Sequence, residues 1–201
     1  SEAVGVIGHS EGGIHAAEAA SEDDAIAFLI LLAAPGVPLR EVLLDQQRTI
    51  ASSRGLAPEQ LARARDTLAS VLDAVATAPS DDEATTRARA LLTTEARAAL
   101  DLDETNADLF AQQMARSGLR HALREDPAAY LTRITIPVLA LAGSLDQQVD
   151  ATRNLEAIRV ALSANHDATV QEIPGLNHML QAARTGSVAE YEELEQTMSP
   201  L

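Results

Sequence analysis

The sequence predicts an α/β fold in which a mostly parallel sheet is flanked by helices. An apolar, β-branched run at 4–7 precedes an Ala-rich, helix-favouring segment at 14–20, and a continuous apolar run follows at 25–34. A run of this length between polar and Pro-Gly turn residues is typical of a strand buried on both faces of a parallel sheet. Further strands are predicted at 136–143 and 168–173, so the sheet resumes near the C-terminus.

The middle of the chain has a different pattern, which predicts an all-helical insertion over 37–130. Apolar residues recur there at helical spacing, and acidic residues follow Pro58 and Ser80 as they do at helix starts. No strand pattern interrupts these segments. We therefore expect an α/β core formed by 1–36 and 131–201, with the insertion as a cap.

The composition restricts the classes of partner. The 201 residues are 46% hydrophobic, which is enough for one substantial core, since a domain typically has about 100–200 residues. The formal net charge of −15 disfavours nucleic acid and anionic membranes, because both require clustered basic residues. No apolar stretch reaches about 18 residues, so no membrane span is predicted. The absence of cysteine excludes disulfides, thiolate metal sites and a cysteine nucleophile.

The stretch Gly8-His9-Ser10-Glu11-Gly12 joins the first strand to the first helix. A serine in this strand-turn-helix context is typical of a nucleophile on a sharp turn. We expect Gly8 and Gly12 to occupy positions where a Cβ would clash. The Ser10 hydroxyl would lie near the helix N-terminus, where the backbone N–H of Glu11 is the first candidate donor to a developing oxyanion.

Two other interpretations of Ser10 stay open on the sequence alone. Ser10 is also a suitable N-cap residue for the helix that follows a Gly-rich turn. A phosphate-binding turn is less favoured, because the chain contains no lysine and has neither the Walker spacing nor Gly-x-Gly-x-x-Gly.

Three predicted loops beyond strand ends each carry one chemically useful side chain: Ser10, Asp146 and His178. Reactive groups collect at the carboxyl ends of strands in open α/β sheets. His178 would accept the Ser10 proton and return it to the leaving group, while Asp146 would orient the imidazole. Asp150 competes as the acid, but Asp146 follows the strand more directly.

The other histidines are predicted to be structural or solvated. His9 is expected to pack under the turn, and His15, His121 and His166 lie on helical or polar stretches. Their spacing does not suggest a metal site, so neither a metal nor a cofactor is predicted.

Four stretches together resemble the α/β-hydrolase superfamily: the turn 8–13, the strand end 31–36, the strand 136–141 with Asp146, and the loop 174–178. Within it, the chain is similar to bacterial serine esterases that have a Gly-His-Ser-Glu-Gly-Gly nucleophile elbow and a helical cap. The order nucleophile, acid, base is also that of this superfamily.

The resemblance implies hydrolysis of a small-molecule carboxylic ester by a Ser10-Asp146-His178 triad, with 37–130 as a lid over the acyl or alcohol pocket. In the family, several strands and a loop with a second oxyanion donor precede the elbow, and a closing helix follows the histidine. We therefore expect the chain to be the C-terminal part of a longer protein and weakly active alone.

Three further expectations accompany this one. The exposed edge of the strand through Val6 favours self-association. The same triad in an aminopeptidase or acyl-peptide hydrolase would cleave amides instead of esters. A non-catalytic binding module with a hydrolase fold is the alternative from a different functional class.

Overall fold

The computed structural model describes residues 3–53, 55–194 and 197–199. Its sheet contains four parallel strands in the order β1-β2-β3-β4. The strands are β1 Val4–His9, β2 Ile26–Leu32, β3 Val138–Gly143 and β4 Ala168–Ile173. The predicted fold class, a parallel sheet with flanking helices, is confirmed.

Nine α-helices and one 3₁₀ helix, Val188–Glu193, are present in the described part of the chain. Several begin where a side chain caps the first turn: Ser80, Thr93 and Asp103 accept hydrogen bonds from N–H groups three residues on. None of the described helices combines the length and apolar composition needed to cross a membrane. The α-helices are α1 Gly12–Glu22, α2 Leu39–Ser53, α3 Pro58–Ala76, α4 Asp81–Leu91, α5 Thr94–Ala99, α6 Glu104–Met114, α7 Ser117–Ala122, α8 Pro127–Leu131 and α9 Ala151–Ala161.

The chain divides into two compact units, one of Ser1–Val42 with Asp126–Leu201 and one of Leu43–Glu125. The sequence pattern instead predicts an insertion over 37–130. The difference at the second boundary has a packing reason, because α8 contacts α1 and α9, which flank the sheet.

The face of the sheet that α1 covers forms the core of the first unit. Leu29 and Leu31 on β2 are buried, and Leu31 lies beside Gly13 of α1. Phe28, which precedes Leu29, is 38% exposed, and Ile30 between the two leucines is only partly buried. The prediction that this strand is buried on both faces is therefore wrong for the described structure. From Phe28 to Leu32 burial alternates with period two, because successive side chains point to opposite faces.

The helical unit is built around small and β-branched side chains. Val71 and Val75 of α3 pack with Ala84, Ala88 and Ala111 of α4 and α6. Small residues on facing helices let the backbones approach closely, and a second buried cluster made of leucines completes the core of the unit.

A buried arginine also joins segments of the helical unit. Arg120 is 7% exposed and donates to the carbonyl groups of Ala78 and Ala115 and to the carboxylate of Asp81, at 2.6, 3.1 and 2.6 Å. Each contact satisfies one hydrogen-bond donor of the guanidinium. A charged group can be buried only when its donors are paired in this way.

The strand register aligns the carboxyl ends of the sheet. His9 pairs with Leu32, Leu32 with Leu141, and Leu141 with Gln171. The loops that follow these ends therefore begin at the same edge of the sheet, where ligands bind in open α/β folds.

Candidate active site

Ser10 lies on a sharp turn between β1 and α1 and has a φ of 55°. A positive φ is uncommon for a non-glycine residue and costs about 1–3 kcal/mol, so neighbouring contacts must hold it. The Ser10 N–H donates to the Leu32 carbonyl at 2.9 Å, and the Ser10 carbonyl accepts from the Gly13 N–H at 2.8 Å. These bonds fix the serine between the sheet and the first helical turn.

The glycines around the turn differ in what an added Cβ would meet. A Cβ on Gly8 would lie 2.5 Å from the Gly12 carbonyl oxygen and 2.7 Å from the Ala16 Cβ. A Cβ on Gly13 would lie 2.3 Å from the Ala34 Cβ, whereas a Cβ on Gly12 would meet nothing within 4 Å. The predicted clash at Gly12 is therefore wrong, because the close approach of α1 to the sheet occurs at Gly8 and Gly13.

Glu11 occupies the N-cap position of α1 without a side-chain capping bond, so Ser10 is not the N-cap residue. The Glu11 carboxylate instead lies 3.7 Å from Nε2 of His15, one helical turn on. Its backbone N–H makes no hydrogen bond with another described residue. That N–H follows Ser10 directly and is free to serve an oxyanion, as in nucleophile elbows.

Asp146 and His178 form a buried pair. His178 Nδ1–H donates to Asp146 Oδ2 at 2.8 Å, and the side chains are 5% and 0% exposed. The other carboxylate oxygen, Oδ1, accepts from the N–H groups of Gln148 and Val149, both at 2.8 Å. Because the aspartate occupies Nδ1, Nε2 of a neutral His178 has a free lone pair and can accept a proton.

The loops that carry this pair are joined by backbone contacts. The Leu145 N–H donates to the Leu176 carbonyl at 2.9 Å. A Cβ on Gly143 would lie 2.1 Å from that same carbonyl oxygen, so glycine at the end of β3 permits the approach. The fully buried Asn177 then shapes the histidine loop, since its Oδ1 accepts from the N–H groups of Met179 and Gln181, both at 2.9 Å.

His9 connects the histidine loop to the serine turn. His9 Nε2–H donates to the backbone carbonyl of His178 at 3.0 Å, and the centroids of the two rings are 4.9 Å apart. His9 immediately precedes Ser10. The residue that the sequence analysis placed under the turn therefore contacts the candidate base.

The structure thus brings Asp146 and His178 together and holds His178 against the neighbour of Ser10. No hydrogen bond joins the Ser10 hydroxyl to the His178 ring within the described residues. Such bonds are often long without substrate and shorten in the complex. Asp150, the competing acid, caps α9 by accepting the Arg153 N–H at 2.7 Å.

A sequence comparison places the chain in a family. The sequence profile of the Alpha/beta hydrolase family matches residues 1–190. The chain belongs to this family. A comparison with curated proteins found no significant match.

Solved alpha/beta hydrolase structures resemble the chain at low sequence identity. MenH from S. aureus is 16% identical, with a TM-score of 0.45 over 89% of this chain and 62% of that one. A hydrolase from Pseudomonas aeruginosa PA01 is 18% identical, with a TM-score of 0.43 over 95% and 61%. A thermophilic esterase from Thermogutta terrifontis is 19% identical, with a TM-score of 0.42 over 86% and 56%. The chain spans 56–62% of the length of these proteins.

A C-terminal segment of this alpha/beta hydrolase chain contacts the Asp146 loop. Gln147 Nε2 donates to the Thr185 carbonyl, and Gln148 Nε2 donates to the Tyr191 hydroxyl, both at 2.8 Å. Burial raises the pKa of Tyr191, the Gln148 hydrogen bond opposes this, and the nearby Asp146 charge raises it further. Sequence reasoning missed this segment because neither glutamine nor tyrosine stands in a recognisable motif.

Glu190 shapes the turn at the start of that segment. It is 8% exposed, and its carboxylate accepts from the N–H groups of Thr185 and Gly186 at 3.0 and 2.9 Å. Burial by itself would raise the pKa of Glu190, but the hydrogen bonds from Thr185 and Gly186 and the charge of Arg184 together lower it. The ionised form is therefore the one that the fold favours.

Two of the remaining histidines have acidic neighbours close along the chain, and the third is exposed. His15 Nδ1 is 3.8 Å from the Glu18 carboxylate, His121 Nδ1 is 3.8 Å from the Glu125 carboxylate, and His166 is exposed.

Proposed function

We propose that the chain carries the catalytic residues of a serine hydrolase that cleaves carboxylic esters. The observation that carries the proposal is the buried Asp146-His178 pair, held through His9 beside a serine with positive φ. Ser10 directly precedes Glu11, the N-cap residue of α1, which supports a role for its hydroxyl at this helix N-terminus. Membership of the alpha/beta hydrolase family also supports a hydrolase function.

The proposed reaction proceeds in two halves. His178 Nε2 accepts the Ser10 proton while Oγ attacks the ester carbonyl carbon, and the carbonyl oxygen becomes an oxyanion that the Glu11 N–H stabilises. Collapse of this intermediate breaks the bond to the alcohol, which leaves with the proton from His178. Water then attacks the acyl-serine with His178 again as base, releasing the acid and restoring Ser10. Asp146 stabilises the imidazolium in both halves.

Turnover of p-nitrophenyl acetate and butyrate tests this proposal. The unaltered chain should release p-nitrophenol, and Ser10→Ala and His178→Ala should each reduce turnover to the background rate. Parallel assays with the corresponding p-nitroanilides distinguish ester from amide cleavage. Retention of full turnover in Ser10→Ala would contradict the proposal, and faster anilide than ester cleavage would favour a peptidase.

A further inference from the structure

The helical unit contains a cavity of about 750 Å³ between α2, α3, α5 and α6. This volume is within the range of small-molecule sites, about 300–1,000 Å³. Its wall is predominantly aliphatic and includes Leu43, Leu68 and Leu102, with Phe110 and Met114 contributed by α6. All lining residues lie within 43–125, so the cavity belongs to this unit alone.

One polar atom in this wall lacks a partner. Oε1 of Gln47, a lining residue on α2, is buried and accepts no hydrogen bond in the described structure. Leaving a buried acceptor unsatisfied costs about 1–3 kcal/mol, and such groups are rare in folded proteins. An amide oxygen can only accept, so the missing partner must be a hydrogen-bond donor.

The charge of the wall narrows the ligand class further. Asp101 is the only charged side chain among the described lining residues. A negative wall charge in a chain of net charge −15 disfavours an anionic ligand such as a carboxylate. A cationic donor such as an ammonium is also disfavoured, because Asp101 is exposed and burying a charge against an apolar wall without an ionic partner is costly. The donor that suits Gln47 in this wall is therefore the hydroxyl of a neutral molecule.

We propose that this cavity binds a neutral aliphatic alcohol, whose chain packs against the leucine-rich wall and whose hydroxyl donates to Gln47 Oε1. The apolar part supplies affinity through burial, and the single hydrogen bond supplies orientation. This inference does not rest on the proposed esterase reaction, because no triad residue lies in the wall.

Binding of two isomeric probes tests the proposal. The alcohol 1-octanol and the ether heptyl methyl ether have the same composition, but only the alcohol can donate a hydrogen bond. Each is titrated into the full chain while methyl NMR shifts of leucine and methionine residues are followed. A net hydrogen bond of about 0.5–1.5 kcal/mol predicts that octanol binds about two- to thirteenfold more tightly than the ether.

Three variants test whether the difference in affinity between the alcohol and the ether arises in the cavity. Gln47→Met, which keeps the side-chain length but removes the acceptor, should lower octanol affinity to that of the ether. Gln112→Met, on an exposed position of α6 outside the wall, should preserve the difference. Ala99→Phe, at a partly buried wall position, should fill the cavity and weaken both probes.

The same data contain the outcomes that overturn the proposal. Equal affinities for the alcohol and the ether in the unaltered chain would mean that Gln47 Oε1 gains no hydrogen bond from the alcohol. An absence of shifts at the Leu68 and Met114 methyl groups would mean that neither probe enters the cavity. These measurements decide the question even if Gln47→Met fails to fold. A Ser10→Ala chain should bind both probes as the unaltered chain does, so loss of esterase activity and loss of alcohol binding are distinguishable.

Discussion

At the scale of single residues, the hydrogen bonds of Asp146 are divided between its two carboxylate oxygens. One carboxylate oxygen is held by two backbone N–H groups, and the other accepts from His178. The backbone bonds fix the position of the second oxygen, which in turn fixes the tautomer and orientation of the imidazole.

The first prediction compares two aspartates four residues apart. Asp146→Asn should lower kcat for ester hydrolysis by about a thousand- to ten-thousandfold, because the neutral amide cannot stabilise the imidazolium. Asp150→Asn is the matched control, since asparagine is an equally good N-cap residue, and its kcat should be unchanged. If the two effects are reversed in steady-state assays, Asp150 is the acid.

A second prediction concerns the glycines of the turn. Gly8→Ala should lower the free energy of unfolding by about 1–3 kcal/mol or more, since its Cβ meets backbone atoms that cannot move freely. Gly12→Ala should leave this free energy unchanged or raise it by up to about 1 kcal/mol, because alanine is the better helix former. Urea unfolding followed by circular dichroism measures both. Equal destabilisation by the two substitutions would contradict the packing described for α1.

At the scale of elements, the strands and the loops beyond them were accessible to sequence reasoning because they carry strong local patterns. The predicted strand 168–173 coincides with β4, and Asp146 and His178 follow strand ends within a few residues. The contacts of Gly13 and Tyr191 could not be predicted from the sequence. They depend on how closely two elements approach, and no periodicity in the sequence encodes that distance.

The third prediction concerns the segment that carries Glu190 and Tyr191. The folded state lowers the pKa of Glu190 below its ordinary value of 4.5, so the carboxylate stabilises the fold above that value. This stabilisation is lost as the pH falls through the lowered pKa. The urea midpoint of the unaltered chain should therefore be higher than that of Glu190→Gln near neutral pH. The difference between the two midpoints should shrink below about pH 4.5.

Glu192→Gln, on an exposed position of the same 3₁₀ helix, is the control and should leave the urea midpoint unchanged at every pH. The urea midpoints of the unaltered chain and Glu190→Gln could instead differ by the same amount from neutral to acid pH. This result would show that the charge of Glu190 does not stabilise the turn.

At the scale of the whole molecule, β1 is an edge strand of the described sheet. It pairs with β2 on one side, and its side chains Val4 and Ile7 are 58% and 63% exposed. Apolar edge strands present unpaired backbone groups that can pair with another chain. We therefore propose that the 201-residue chain self-associates through β1.

The fourth prediction follows from that edge. Sedimentation velocity over a range of concentrations should show association of the unaltered chain, and Ile7→Lys should abolish it by placing a charge on the edge. Val160→Lys is the matched control, because Val160 is also 63% exposed but lies on α9. Association that survives Ile7→Lys, or a monomer at every concentration, would contradict this use of β1.

The most direct test of the proposed chemistry is covalent labelling of the serine. A fluorophosphonate probe reacts with serines that an adjacent base activates, and peptide mass spectrometry locates the adduct. We predict a single adduct on the peptide that contains Ser10, absent in Ser10→Ala and strongly reduced in His178→Ala. A folded chain in which Ser10 stays unlabelled, or is labelled equally well without His178, would contradict the proposal that these residues form a nucleophile and its base.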